Sequence, residues 1–213
     1  MGKGIVSFGC DCEKNQGEQI KFEEKNNLQL ISQTIKNIRS KTKYGKINLH
    51  TFAQIPENIK FLEESGLDSI TVVLNSFIPI HFLPFYNYYL EKCSFHPISF
   101  ENEEDLGKKS LKLFKNIKES ISIIKKAGKL VHLEYLVYPG INDKVEEIEA
   151  INHFIDSTPI DSIHFKNLTF DPHLYLRMLS ITNESDDLGL DFLIKSIKKN
   201  HPNLPITAFI PPK

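Results

Sequence analysis

Short apolar strand-like runs alternate with helical periodicity along this whole chain, and that alternation constrains the fold more than any motif. Gly4-Ile5-Val6-Ser7-Phe8, closed by Gly9, reads as a buried strand. Leu28, Ile31, Ile35 and Ile38 then recur at helical spacing before Gly45. Ile47 to Thr51 reads as a strand, and a short helix opens at Pro56 and closes at Gly66. Ser69-Ile70-Thr71-Val72-Val73-Leu74 is β-branched and apolar, the pattern of a strand covered on both faces. An aromatic stretch from Phe82 to Tyr89 is left without an assignment, and Leu111, Phe114, Ile117, Ile121 and Ile124 then define a long helix. Strands follow at 130–137, 162–168 and 206–209, separated by helices through Val145 to Phe154 and 190–199.

One joint recurs. Leu67-Asp68-Ser69-Ile70 and Ile160-Asp161-Ser162-Ile163 each link a helix to a strand, and each strand is followed by an Asn, Asn75 or Asn167. Successive βα units produce such joints, because each parallel strand needs a crossover. No Gly/Ser/Pro-rich linker divides the chain, so residues 1–213 are expected to form a single α/β domain. A mainly parallel sheet, open or closed into a partial barrel, gathers its chemistry at the carboxyl ends of the strands. Those ends carry Cys10 and Cys12, Asn48 to Thr51, Asn75 and Ser76, Tyr138 to Asp143, and Asn167.

Composition closes off other classes. Lys and Arg number 26 against 27 Asp and Glu, a formal net charge of −1 that argues against a nucleic-acid binder. No run approaches the ~18 apolar residues of a membrane span, and no signal-type apolar core follows Met1. Three cysteines, an odd and sparse count, fit a reducing cytoplasm. There is no G-x-S-x-G, phosphate-cradling Gly-rich loop or H-E-x-x-H, which removes the usual hydrolase, nucleotide and zincin readings.

The remaining candidates each carry a plain alternative. Cys10-x-Cys12 places two thiols beside a strand end, but metal and iron–sulfur sites need three or four ligands, so an incidental pair weighs more. Gly17-Glu18 offers close backbone approach and a carboxylate for an ammonium group, or simply a helix-start acid. Tyr138-Pro139-Gly140-Ile141-Asn142-Asp143 either presents polar groups over the strand ends or is a turn with an N-cap and Glu146 as its capping-box partner. Glu134 interrupts an apolar strand and needs a polar pocket or solvent. His50, His132 and His164 sit on three strands, where hydrogen-bonded histidines outweigh a shared metal. Lys166 is a site cation or a snorkelling surface lysine.

As an ordered set, several of these segments resemble a radical S-adenosylmethionine protein: G-I-V-S-F-G-x-x-C-E with the later G-E, I-N-L-H-T, G-L-D-S-I-x-V-x-L-N-S, L-V-Y-P-G-I-N-D-x-x-x-E-I-E, N-L-x-x-D-P-x-x-Y-L-R-M-L and F-I-P-P. They run from Gly4 to Pro212. The resemblance implies a partial (β/α)6 TIM-like barrel. It also implies S-adenosylmethionine and a [4Fe–4S] cluster as cofactors, the cluster held by a C-x-x-x-C-x-x-C loop after the first strand. No such motif occurs in this chain. Its start resembles the family's second strand, so the first βα unit and the cluster ligands are expected to be missing. Gly17 and Glu18 resemble the family's Gly-Glu motif at the methionyl amino group, with Gln19 where a Pro is usual. Asn75 and Ser76 resemble the ribose-side residues, while Tyr138, Pro139, Gly140 and Asn167 fall on strand ends lining the family's site. Val73 stands where the family has Ser, and Phe52 where related chains often have Asn, which thins the polar lining.

The resemblance implies a truncated or split radical S-adenosylmethionine protein, inactive alone, that needs a separate cluster-bearing segment. A non-enzymatic remnant or binding module with the same fold is the other reading. Third comes a metal protein using Cys10 and Cys12 with a histidine. In each case a missing first unit would expose a sheet edge, so self-association is expected. No residue selects a substrate, and no catalytic residue is assigned.

Overall fold

The computed structural model describes residues 5–8, 20–93, 95–168, 171–179 and 188–208. Six strands form one sheet: β1 (Ile5–Phe8), β2 (Lys46–Thr51), β3 (Ser69–Leu74), β4 (Leu130–Val137), β5 (Ser162–Asn167) and β6 (Ile206–Ala208). Between them lie α1 (Ile20–Lys41), α2 (Pro56–Glu64), α3 (Pro79–Lys92), α4 (Glu103–Lys126), α5 (Val145–Ser157), α6 (Pro172–Leu179) and α7 (Leu190–Asn200). The strands lie side by side in chain order, and every neighbouring pair is parallel. Right-handed crossovers between successive neighbours, with no reversal of order, put their helices on one side of the sheet. The other side becomes the inside of an incomplete barrel. The architecture is thus the parallel α/β sheet that the alternation predicted, consistent with the partial TIM-like barrel that the resemblance implied.

The period-2 alternation of strand side chains sorts residues between these two sides. Ile47 and Leu49, Ile70, Val72 and Leu74, Val131, Leu133 and Tyr135, and Ile163 and Phe165 are buried in the same core as Ile35, Ile59, Ile117, Ile121, Ile151, Phe154 and Ile197 of the helices. On the alternate positions stand Asn48, His50, Thr71, His132, Glu134, Ser162, His164, Lys166 and Thr207. The sheet therefore has an apolar outer face and a polar inner one. β3 is nevertheless buried at every position but Thr71, as its composition predicted.

The repeated joint has a repeated task. The Asp68 carboxylate accepts the Ile47 N–H at the start of β2 (2.6 Å) and pairs with Arg39 of α1. The Asp161 carboxylate accepts the Val131 N–H at the start of β4 (2.7 Å) and pairs with Lys125 of α4 (2.7 Å). Each Asp ties the beginning of the preceding strand to the helix that led into it. The serine that follows also bonds across the inner face, Ser69 to Asn48 and Ser162 to His132.

Two elements were not anticipated. The aromatic stretch is part of α3, which starts with Pro79 at a position that needs no N–H and carries Pro84 inside. Residues 172–179 form α6, which packs against α3. Among the described residues no helix is long and apolar enough to cross a membrane.

Candidate functional site

The inner face is organised around Glu134 in the middle of β4. Its carboxylate lies 3.2 Å from His50 Nε2 on β2 and 3.3 Å from Lys166 Nζ on β5. Val73, in register with Glu134 on the intervening β3, provides no polar atom there, so His50 reaches Glu134 across it. The two remaining imidazoles are held by one device. His132 Nδ1 is 2.7 Å from Ser162 Oγ, and His164 Nδ1 is 2.8 Å from Thr207 Oγ1. Each partner is the in-register residue of the next strand. Nearer the amino ends, Asn48 donates to Thr71 Oγ1 (3.0 Å) and accepts from Ser69 Oγ (2.8 Å).

Burial pushes the Glu134 carboxyl up, but the hydrogen bond and charge of His50, with Lys166 behind them, outweigh it and hold the group below its ordinary value. A carboxyl lowered by folding adds stability above its unfolded pKa and loses it as pH falls through the lowered value. Urea unfolding of wild type and Glu134→Gln across this range should therefore show a difference that shrinks on acidification. A difference that stays constant or grows would mean that these partners do not hold the carboxylate.

Aromatic side chains wall the carboxyl ends of the strands. Phe52, just past β2, sits 5.3 Å from Tyr86 and 5.2 Å from Tyr89 of α3. The turn behind it is fixed: Ala53 has φ of 54°, its carbonyl accepts Ser120 Oγ (2.8 Å), and the Gln54 carbonyl accepts Asn116 Nδ2 (2.9 Å). Burial, then the nearby Tyr88, raise the Tyr89 phenol. Tyr138, after β4, packs on Tyr175 of α6 with ring centroids 5.8 Å apart.

The residues expected at the site separate into groups. Gly17 and Glu18, with Cys10 and Cys12, lie outside the described residues. Asn75 and Ser76 are fully buried and turned into the protein. Asn75 Nδ2 donates to the His81 carbonyl (3.1 Å) and Tyr175 Oη (2.9 Å), while its Oδ1 has no partner. Ser76 Oγ donates to Glu147 (2.7 Å). Tyr138 is half-buried, Pro139 exposed and Gly140 buried, and Asn167 is exposed at the end of β5. Gly140 has φ of 87°, a conformation that admits glycine freely, and its N–H donates to Asp143 Oδ1 (2.7 Å).

The capping reading of Asn142 and Asp143 does not hold. The residue at the start of α5 is Lys144, without a side-chain cap. Asn142 instead accepts the Tyr138 N–H (2.6 Å) and donates to the Asn75 carbonyl (2.7 Å) and Tyr135 Oη (2.8 Å). The inward acid is Glu147 rather than Glu146. Its buried carboxylate accepts Ser76 Oγ, the Phe77 N–H (2.5 Å) and Tyr135 Oη (2.6 Å). Burial raises the Glu147 carboxyl, and those hydrogen bonds only partly offset it. A signal was present in the sequence: Glu147 shares a helical stripe with Ile151 and Phe154.

The described residues do not fit an iron–sulfur cluster. They include one cysteine, Cys93 at the end of α3, and among them no three His, Cys, Asp or Glu side chains are placed to hold a metal ion.

No protein-family model matches the chain, and neither does any curated protein. Solved structures do match. A domain of pyruvate-formate lyase-activating enzyme from Bacteroides vulgatus is similar at 11% identity and a TM-score of 0.52, covering 95% of this chain and 97% of that domain. Methylornithine synthase is similar at 10% identity and a TM-score of 0.51, covering 95% of this chain and 48% of that one. The hydrogenase maturase HydG aligns at 18% identity and a TM-score of 0.48, covering 84% of this chain. This chain spans 37% of the maturase. The first two establish a radical S-adenosylmethionine-like fold for this chain.

Proposed function

We propose that this chain is the cosubstrate- and substrate-facing wall of a radical S-adenosylmethionine-type barrel, and that it relies on a cluster-bearing segment outside the described residues. The observation carrying this reading is the polar inner face, where Glu134 gathers His50 and Lys166 from two other strands. When present, the cluster supplies the electron that cleaves S-adenosylmethionine.

The chain's own part is to bind and orient. Gly17 and Glu18 are assigned to the methionyl ammonium, and Tyr138, Pro139, Gly140 and Asn167 to the border of the bound cosubstrate. Asn75 and Ser76 support that border from behind, since both are fully buried. The aromatic wall of Phe52, Tyr86 and Tyr89 keeps water from one side. A binding module with no radical chemistry is the second reading. It is favoured by the apolar Val73 and Phe52 and by a Ser76 hydroxyl already spent on Glu147.

Anaerobic iron–sulfur reconstitution with assay for 5′-deoxyadenosine tests both, beside calorimetry with S-adenosylmethionine. Residues 1–213 should bind S-adenosylmethionine but release no 5′-deoxyadenosine until a C-x-x-x-C-x-x-C unit is supplied. Cluster-dependent cleavage by the chain alone would overturn the dependence on another segment. Absence of binding, with or without that unit, would leave the binding-module reading. An in-frame or frameshifted C-x-x-x-C-x-x-C stretch in the nucleotide sequence upstream of Met1 would support the split or truncated enzyme.

A further inference from the structure

The inner face has an inverted arrangement of charge. Its one acid on the described strand positions, Glu134, is the covered partner, with its side chain 12% exposed, while His50 and Lys166 are 34% and 46% exposed. Anything arriving from the lumen therefore meets the Lys166 ammonium and the His50 ring before the carboxylate. Both contacts to Glu134, 3.2 and 3.3 Å, are longer than the ~2.7–2.9 Å of a tight charge-assisted hydrogen bond. A lysine ammonium carries three donors, and among the described residues Lys166 makes this one long contact, so the group keeps donors for a ligand.

His164 lies two residues before Lys166 on the same face of β5, about 7 Å away along the strand. Its ring is pinned at Nδ1 by Thr207, which directs Nε2 away from that hydroxyl. His132 is pinned the same way by Ser162. The Lys166 ammonium, beside the covered carboxylate, is thus an exposed charge on this face with imidazole rings on either side of it. The complementary ligand is an anion.

We infer that this face binds the oxyanion of a small ligand, a carboxylate or phosphate group, with Lys166 as the main contact and His50 and His164 as flanking donors. The inference rests on the proposed role of this face as the ligand-binding wall and names the class of substrate it takes.

Isothermal titration of the full chain with inorganic phosphate and with succinate, each against chloride at equal ionic strength, tests it. Lys166→Met should weaken binding by about tenfold or more, the loss of one hydrogen bond to a charged group. Glu134→Gln should tighten it, because the competing carboxylate is gone while the side-chain shape remains. Tighter phosphate binding would identify a phosphate ester, and tighter succinate binding a carboxylate. Three results would overturn the inference: neither probe binding above the chloride control, Lys166→Met binding like wild type, or Glu134→Gln weakening binding as much as Lys166→Met. Thermal unfolding of both variants confirms that each is folded. Titration with S-adenosylmethionine on the same preparation separates the two proposals. S-adenosylmethionine binding without anion binding overturns this inference alone, and the converse overturns the proposed function alone.

Discussion

Glu147→Ala is expected to lower the unfolding free energy by about 3–5 kcal/mol. The substitution leaves three buried donors without an acceptor: the Ser76 hydroxyl, the Phe77 N–H and the Tyr135 hydroxyl. Each loses its protein partner in the interior, since Ser76 and Tyr135 are fully buried. Asn142 shares the Tyr135 hydroxyl, so the damage reaches the turn that carries Tyr138 to Gly140. Glu147→Gln keeps the shape but aims an NH2 at a site built of donors, and an intermediate loss is expected. Urea unfolding measures both, and a loss below about 1 kcal/mol for alanine would contradict this account. The pH dependence runs opposite to that of Glu134. Because folding raises the Glu147 carboxyl, its share of stability is present below the ordinary carboxyl range and falls as pH rises through that range toward the raised value. Glu147→Gln should abolish that slope.

Phe82→Ala should cost a similar amount, about 3–5 kcal/mol, for a different reason. The ring is fully buried at the centre of the aromatic group. It stacks on Tyr86 at 5.8 Å, meets Phe114 edge-on at 5.7 Å and lies 6.3 Å from Phe52. Its removal leaves a cavity that the rigid neighbouring rings fill poorly. Phe82→Leu, which keeps more of the volume, should cost about 1–2 kcal/mol. The alanine variant should also loosen α3, seen as a loss of near-ultraviolet circular dichroism. A full-strength aromatic signal with unchanged stability would mean that this cluster does not hold α3 on the strand ends.

How far the site was legible follows from what each residue does. Glu134 stood out because a carboxylate in an apolar strand needs a partner, but the partners, His50 and Lys166, lie on other strands and no spacing links them. Asn75 and Ser76 sit where strand ends predict polar residues, yet their groups turn into the protein, because Glu147 and Tyr175 reach them from helices far along the chain. Asn142 and Asp143 matched a local capping pattern, and a tertiary bond to Tyr135 and a turn bond to Gly140 took those side chains instead. The aromatic stretch escaped assignment because a helix packed among other rings carries no polar stripe to mark its period.

The amino-acid sequence by itself determined the six strands, five of the seven helices and their order. Strand and helix periods are local, and a chain of βα units with right-handed crossovers has few ways to arrange a parallel sheet. Even the twin Asp68 and Asp161 joints were visible, since each acts on strands that neighbour its own. Only the tertiary structure decided which polar groups face the lumen and which are sealed behind it. That choice depends on pairings across three strands and from distant helices, where burial makes every polar group find a partner regardless of its distance along the chain.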